Sequence, residues 1–303
     1  MARAVELSPR PLPVGRSISP DGTRGYYIDF SSKAPVPDWP PPWFPWPGFH
    51  RFMAAAQWGL GAWERYLAGA GERWLTAAAA AAAHVQAEQQ RDGPAAGGWL
   101  EPRAHAHTFH TPAPWLSAMA QGQCASLLIR VGRERDDGSL VESARRALAP
   151  MLVPTSEGGV QARLNGGLFL EEYPTEPPSF VLNGGIFALW GVYDVWRVTG
   201  DETAERLWNE VGETLAEALP RWDAGFWSRY DLYPHPVTNV ASAFYHRLHI
   251  NQLQALELIL PNPAFRAVRS RFEAYAASPL LRGRALAHKI AFRLLVRRRL
   301  RAA

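Results

Sequence analysis

Lysine is nearly missing from this 303-residue chain: it stands only at positions 33 and 289, so the basic charge is almost all arginine. The arginine fork donates two parallel hydrogen bonds and so favours planar carboxylates. A sequence pI near 9.4 asks for an anionic partner, whether acidic polysaccharide, anionic lipid or nucleic acid. No nucleic-acid-binding motif accompanies the charge, so nucleic acid is not an expected partner. Cysteine occurs once, as Cys124, which excludes an intrachain disulfide and any cysteine-based zinc site. It lies in an apolar helical run and reads as a buried structural thiol. No apolar run approaches the roughly 18 residues that a membrane span needs; "WLTAAAAAAAHV" reads as alanine-rich helix. The opening "MARAVELSPRPLPVGRSISPDG" has no continuous apolar core of the signal-peptide kind, and the expected location is cytoplasmic.

Aromatics and proline are plentiful. There are 13 Trp and 9 Tyr, enough both to fill a core and to line a carbohydrate cleft. Residues 1–48 read as a Pro/Arg-rich arm, with "YYIDFSS" (26–32) as a short strand. The seven prolines and three tryptophans of residues 35–48 exclude helix and central strand and predict an extended, polyproline-like segment. From residue 49 a rhythm sets in. An apolar helix is followed by an amphipathic one and a glycine turn, first ending at Gly98, then at Gly159 and at Gly225, and a fourth round starts at "SAFYHRLHINQLQALELIL". An all-round apolar helix must be enclosed. The repeat therefore predicts an all-α fold over 49–280, an incomplete α/α toroid of about four helical hairpins. Short β-hairpins are expected in the loops at "GGWLEP", "GGVQARL" and "GFWSRYDLY". Residues 281–303 read as a basic amphipathic helix, with solvent, body, acidic glycan or the surface of an anionic membrane as candidate neighbours.

The inner helices are expected to start near residues 51, 115, 181 and 243, and unusual polar and aromatic residues gather there. Gln57, Trp115, Gln121, Asn183, His249, Asn251 and Gln252 are candidate substrate-binding residues. Helix N-termini collected at one end would favour an anion. Gln121, Asn183, His249, Asn251 and Gln252 equally suit buried groups that tie helices together. His105, His107 and His110 are neighbours on one loop with no distant fourth ligand, which is no basis for a metal site. The segment "LFLEEYPTEPPSFVLNGG" (168–185) sets two acids and a phenol on a proline ramp before an apolar helix. It reads either as a solvated acidic turn or as an acid/base pair fixed at a pocket mouth.

Five motifs, "AMAQGQ" (118–123), "EEYPTEPPSFVLNG" (171–184), "GVYDVW" (191–196), "YDL" (230–232) and "YHRLHINQLQ" (245–254), make the chain resemble the C-terminal catalytic domain of the D-glucuronyl C5-epimerase family. The resemblance implies an α/α-toroid fold and inversion of D-glucuronate to L-iduronate at C5 within an acidic polysaccharide. It implies no organic cofactor and is compatible with a homodimer. It assigns acid/base roles to Glu172, Tyr173 and Tyr245, and a site role to Tyr230. The C5 proton lies α to a carboxylate. Its removal needs an acid/base group on each sugar face and a cation or donor set at the developing charge. Animal members carry an arginine directly after "YDL"; Tyr233 stands there in this chain, and Arg229 or Arg247 is the expected substitute. A uronate lyase and a non-catalytic binder of acidic glycans are the alternative readings.

Overall fold

The computed structural model describes residues 12–19, 23–41, 51–106 and 108–296. The fold is mostly helical. Helices α1 (Arg51–Leu67) and α2 (Glu72–Ala87), α3 (Ala118–Glu134) and α4 (Gly138–Arg146), α5 (Leu182–Thr199) and α6 (Glu202–Ala218), and α7 (Ala243–Ile259) and α8 (Pro263–Ala277) pair as hairpins. The first helix of each pair packs on the next in order, α1 on α3, α3 on α5 and α5 on α7. A last helix, α9 (Pro279–Leu295), packs on α8.

Local chemistry explains the helix boundaries. Side chains of Ser117, Asp137, Asp201, Ser242, Asn262 and Ser278 accept N–H groups of the first turns they precede, satisfying donors that a helix start leaves open. Pro263 and Pro279 follow their caps at the position where a missing N–H costs nothing. Every residue of α5 from Leu182 to Val195 is buried. The helix therefore needs a close neighbour, and glycine supplies the approach. A Cβ at Gly191 would lie 2.3 Å from the Cα of Gly122, so α3 and α5 meet backbone to backbone.

The inter-repeat loops carry small antiparallel pieces, β1 (His105–Ala106) with β2 (His110–Thr111) and β3 (Gln161–Leu164) with β4 (Gly167–Leu170). Asn165 and Gly166, at φ 54° and 92°, close the second hairpin in the turn that Asn-Gly favours. The "GGWLEP" and "GFWSRYDLY" stretches form single bridges, Glu101 with Trp115, Asp223 with Ser228 and Arg229 with Val240.

The amino-terminal segment departs from the expected arm. Tyr26, Tyr27, Ile28 and Phe30 are fully buried, and "YYIDFSS" forms no strand: Ile28 makes one bridge to Val14, and Ser31–Lys33 is a single 3₁₀ turn. The segment is anchored on the far halves of the inner helices. Tyr26 N donates to Glu64 of α1, the Asn251 amide of α7 donates to Leu12 O, and the Tyr27 hydroxyl donates to Asp194 of α5. Arg130 of α3 donates to Gly25 O and pairs with Asp194, both side chains fully buried. Rings of Tyr26 and Tyr27 lie 5.0 and 5.5 Å from that guanidinium. Four aromatic and aliphatic side chains are worth far more buried than mobile, and proline with arginine in the flanks hid that. Of the polyproline-like stretch, residues 42–48 lie outside the described ones; Trp39 packs on Trp58 and His84.

Candidate active site

At the opposite ends of the inner helices from the amino-terminal segment, the loop between β4 and α5 brings the acidic turn inside. It is tied to the segment before α7 by backbone bonds from Leu182 N to Tyr230 O and from Leu232 N to Ser179 O. These bonds set Tyr173 beside Tyr230. Neither glutamate is the solvated surface acid that one reading allowed: Glu171 is fully buried and Glu172 is 3% exposed. Glu171 turns into the loop, accepting Ser179 Oγ at 2.5 Å and Phe180 N at 2.9 Å. That bond holds Phe180 at φ 48°, a conformation a bulky side chain avoids when free.

Glu172 turns the other way. Its Oε2 is buried with no hydrogen-bond partner among the described residues, and it sits in the notch that Gly184 leaves on α5. Burial pushes its carboxyl up to about 8, against the lowering effect of the neighbouring Tyr173 phenol and with added repulsion from Glu171. Glu171 is raised to about 7, again chiefly by burial, and its bonds to Ser179 and Phe180 limit the rise. The Tyr173 phenol lies close enough to Glu172 and Tyr230 for each to shift its ionisation. Tyr230 in turn meets Tyr245 edge-to-face at 5.0 Å. Burial drives Tyr173 and Tyr230 well above their ordinary range, so both are phenols and proton donors near neutral pH. Glu172, Tyr173, Tyr230 and Tyr245 thus form one connected group. Trp115, His105 and Phe109 enclose it, their rings 5.7, 5.0 and 5.2 Å from that of Tyr173.

The expected binding residues divide. Trp115 borders the group, its indole N–H bonded to Arg103 O. Asn183 and Gln252 are buried between α5 and α7, where Gln252 Nε2 donates to Asn183 O. Asn183 Oδ1 and Gln252 Oε1 have no partner among the described residues. His249, one turn beyond Tyr245 on the same face of α7, bonds Ser228 Oγ at 2.9 Å and keeps Nε2 unpartnered. Burial lowers its ring to about 3, so it is neutral.

Other candidates are displaced. Gln121 has its amide spent on Trp99 N, Gly97 O and Ala147 O, holding the loops behind α3. Gln57 donates to Gln123 between α1 and α3, and Asn251 anchors the amino-terminal segment. Arg247 is exposed, because two residues along a helix is more than half a turn away from the Tyr245 face. Arg229 is half-buried between two inward-facing neighbours, Ser228 and Tyr230, and an extended backbone turns alternate side chains to opposite faces. His105 stacks on Tyr173 and His110 is exposed, while His107 lies outside the described residues. Among the described residues no three metal-ligating side chains converge.

Sequence reasoning passed over Lys289. This residue of α9 donates to Asn239 Oδ1 at 2.7 Å and to Val240 O at 2.8 Å. Its ammonium lies 5.9 Å from the centre of the Tyr230 ring. The signal was present: a lysine is conspicuous where nearly every other cation is arginine. Tyr233, in the position after "YDL", packs against Phe109 and His235. His246 is held by Ser228 and the Phe272 carbonyl and stacked on Trp227, a buried support beneath α7.

A family model described as the D-glucuronyl C5-epimerase C-terminus matches residues 97–274, more than half of the chain and all four members of the tyrosine–glutamate group. A D-glucuronyl C5-epimerase of Caenorhabditis elegans is 32% identical over 198 residues, covering 59% of this chain and 32% of that protein. An uncharacterized protein of Methanocaldococcus jannaschii is 30% identical over 148 residues, covering 48% of this chain and 46% of its own. The chain therefore spans 32% and 46% of the length of these relatives. The chain belongs to the family defined by the D-glucuronyl C5-epimerase C-terminus.

Proposed function

We propose that the protein is an epimerase that inverts C5 of D-glucuronate residues to L-iduronate within an acidic polysaccharide. The observation that carries this reading is the meeting of buried Glu172, Tyr173 and Tyr230 with half-buried Tyr245 in one group. C5 inversion needs a base on one face of the sugar and a proton donor on the other. Glu172, with a carboxyl near 8 and one free oxygen, suits proton exchange close to neutral pH. Tyr245 on the first turn of α7 suits the opposite face. Tyr173 and Tyr230 stand between these two groups as neutral phenols that can donate to the sugar. In this reading Lys289 supplies positive charge beside Tyr230 for the uronate carboxylate, in the place the family's arginine would serve. Asn183 Oδ1 and Gln252 Oε1 are acceptors for sugar hydroxyls. The hairpins then form an incomplete α/α toroid with the site at its mouth and the amino-terminal segment across its base.

The test is incubation of the purified protein with heparosan and a panel of bacterial uronans in deuterated water, followed by NMR at C5. Deuterium at C5 with new iduronate signals is the expected outcome. An unsaturated uronate seen by ultraviolet absorbance would instead mean that the C4 substituent leaves after the same first step. Binding without exchange would mean a glycan-binding protein.

A further inference from the structure

The last helix is apolar on two faces. Its inner face, with Ala285 and Phe292 buried and Lys289 reaching Asn239, closes one side of the tyrosine group. Leu280, Leu286, Ile290, Leu294 and Leu295 are 51–80% exposed. At 100° per residue Leu286, Ile290 and Leu294 form one stripe opposite Phe292, with exposed Arg282 and Arg293 along its edge. Residues 279–303 contain seven arginines and Lys289 but no aspartate or glutamate.

We propose that the outer face of α9 docks on an anionic lipid surface. The charge and the leucines together select this partner. An acidic glycan would meet the arginines and leave the leucines in water, whereas a bilayer interface takes both, the side chains among the acyl chains and the guanidinium groups among the phosphates. Exposed aliphatic side chains this dense are uncommon on a surface that stays wet. No helix among the described residues is long and apolar enough to cross a membrane, so α9 would lie in the interface plane. Docking there would hold the tyrosine group one helix diameter from the lipid surface.

The test is co-sedimentation of the full chain with vesicles of phosphatidylglycerol in phosphatidylcholine, against phosphatidylcholine alone. Wild type is expected to pellet with the anionic vesicles. The triple variant Leu286→Gln/Ile290→Gln/Leu294→Gln changes only outward side chains, keeps its circular dichroism, and should lose at least about tenfold in vesicle affinity. Failure of wild type to pellet overturns the proposal. So does full vesicle binding by the triple variant. A concentration-dependent dimer that the variant dissolves, without vesicle binding, would also overturn it, by giving the stripe to a second copy of the chain.

Discussion

Gly184 lies directly against Glu172: a Cβ at position 184 would fall 2.3 Å from Glu172 Oε2 and 2.4 Å from its Cβ. One element, the first turn of α5, thereby sets where the buried carboxyl points. Gly184→Ala should leave α5 helical, since alanine favours helix, yet push Glu172 out of place. A displacement of this size costs on the order of 100-fold in rate when it moves a reacting group. The expected result is a large fall in C5 deuterium incorporation with unchanged circular dichroism. Wild-type rates in Gly184→Ala would mean that Glu172 is not the group in play.

Tyr245 and Glu172 should differ in what their loss leaves behind. Tyr245→Phe keeps the edge-to-face contact with Tyr230 and removes only the hydroxyl. Loss of a general acid or base costs about 100- to 10,000-fold, so iduronate formation should fall steeply. Exchange at C5 of the starting sugar should survive better than inversion, because Glu172 still works on its own face. Full inversion by Tyr245→Phe would remove Tyr245 from the mechanism.

Activity should rise with pH toward about 8. Burial raises Glu172 to about 8, and abstraction of the C5 proton requires its ionised form. Below that pH the carboxyl is mostly protonated, and kcat/KM should climb close to tenfold per pH unit. A profile flat from pH 6 to 9 would contradict the assignment.

Stability should move in the opposite direction over part of that range. Glu171 and Glu172 hold protons to about 7 and about 8 in the folded state, against 4.5 as the ordinary value. The native state therefore binds more protons than the unfolded chain, and stability falls as pH rises toward 8. Below 6.5, His246 and His249, lowered to about 4 and about 3 by burial, act oppositely, since only the unfolded chain protonates them. The clean window is pH 6.5 to 8, with a slope of up to roughly 1.4 kcal/mol per pH unit for each carboxyl. Melting temperatures across that window should fall for wild type and fall less for Glu172→Gln.

The Arg130–Asp194 pair should matter far from the site. Both side chains are fully buried and hold Tyr27 and the Gly25 carbonyl. Asp194→Ala strands a buried guanidinium and should cost roughly 3–5 kcal/mol, measurable by urea denaturation. A cost near zero would show that the amino-terminal segment holds without the pair.

The sequence by itself determined the helical hairpins and their order, because apolar periodicity is a local property. The motifs that carry the family resemblance pointed to Glu172, Tyr173, Tyr230 and Tyr245, and folding brings these residues together. Folding decided what local pattern cannot carry, the direction in which a polar side chain points. Gln121 stands near a helix start just as Asn183 does, and Asn251 is the neighbour of Gln252, yet they are spent on loop carbonyls and on the amino-terminal segment. The burial of Tyr26 and Tyr27 was hidden for the same reason, since their partners on α3 and α5 lie more than 100 residues away. Lys289 joins Tyr230 only because α9 folds back across the segment before α7. Each of these placements depends on long-range packing, where a side chain satisfies whichever buried partner the assembled helices bring within reach.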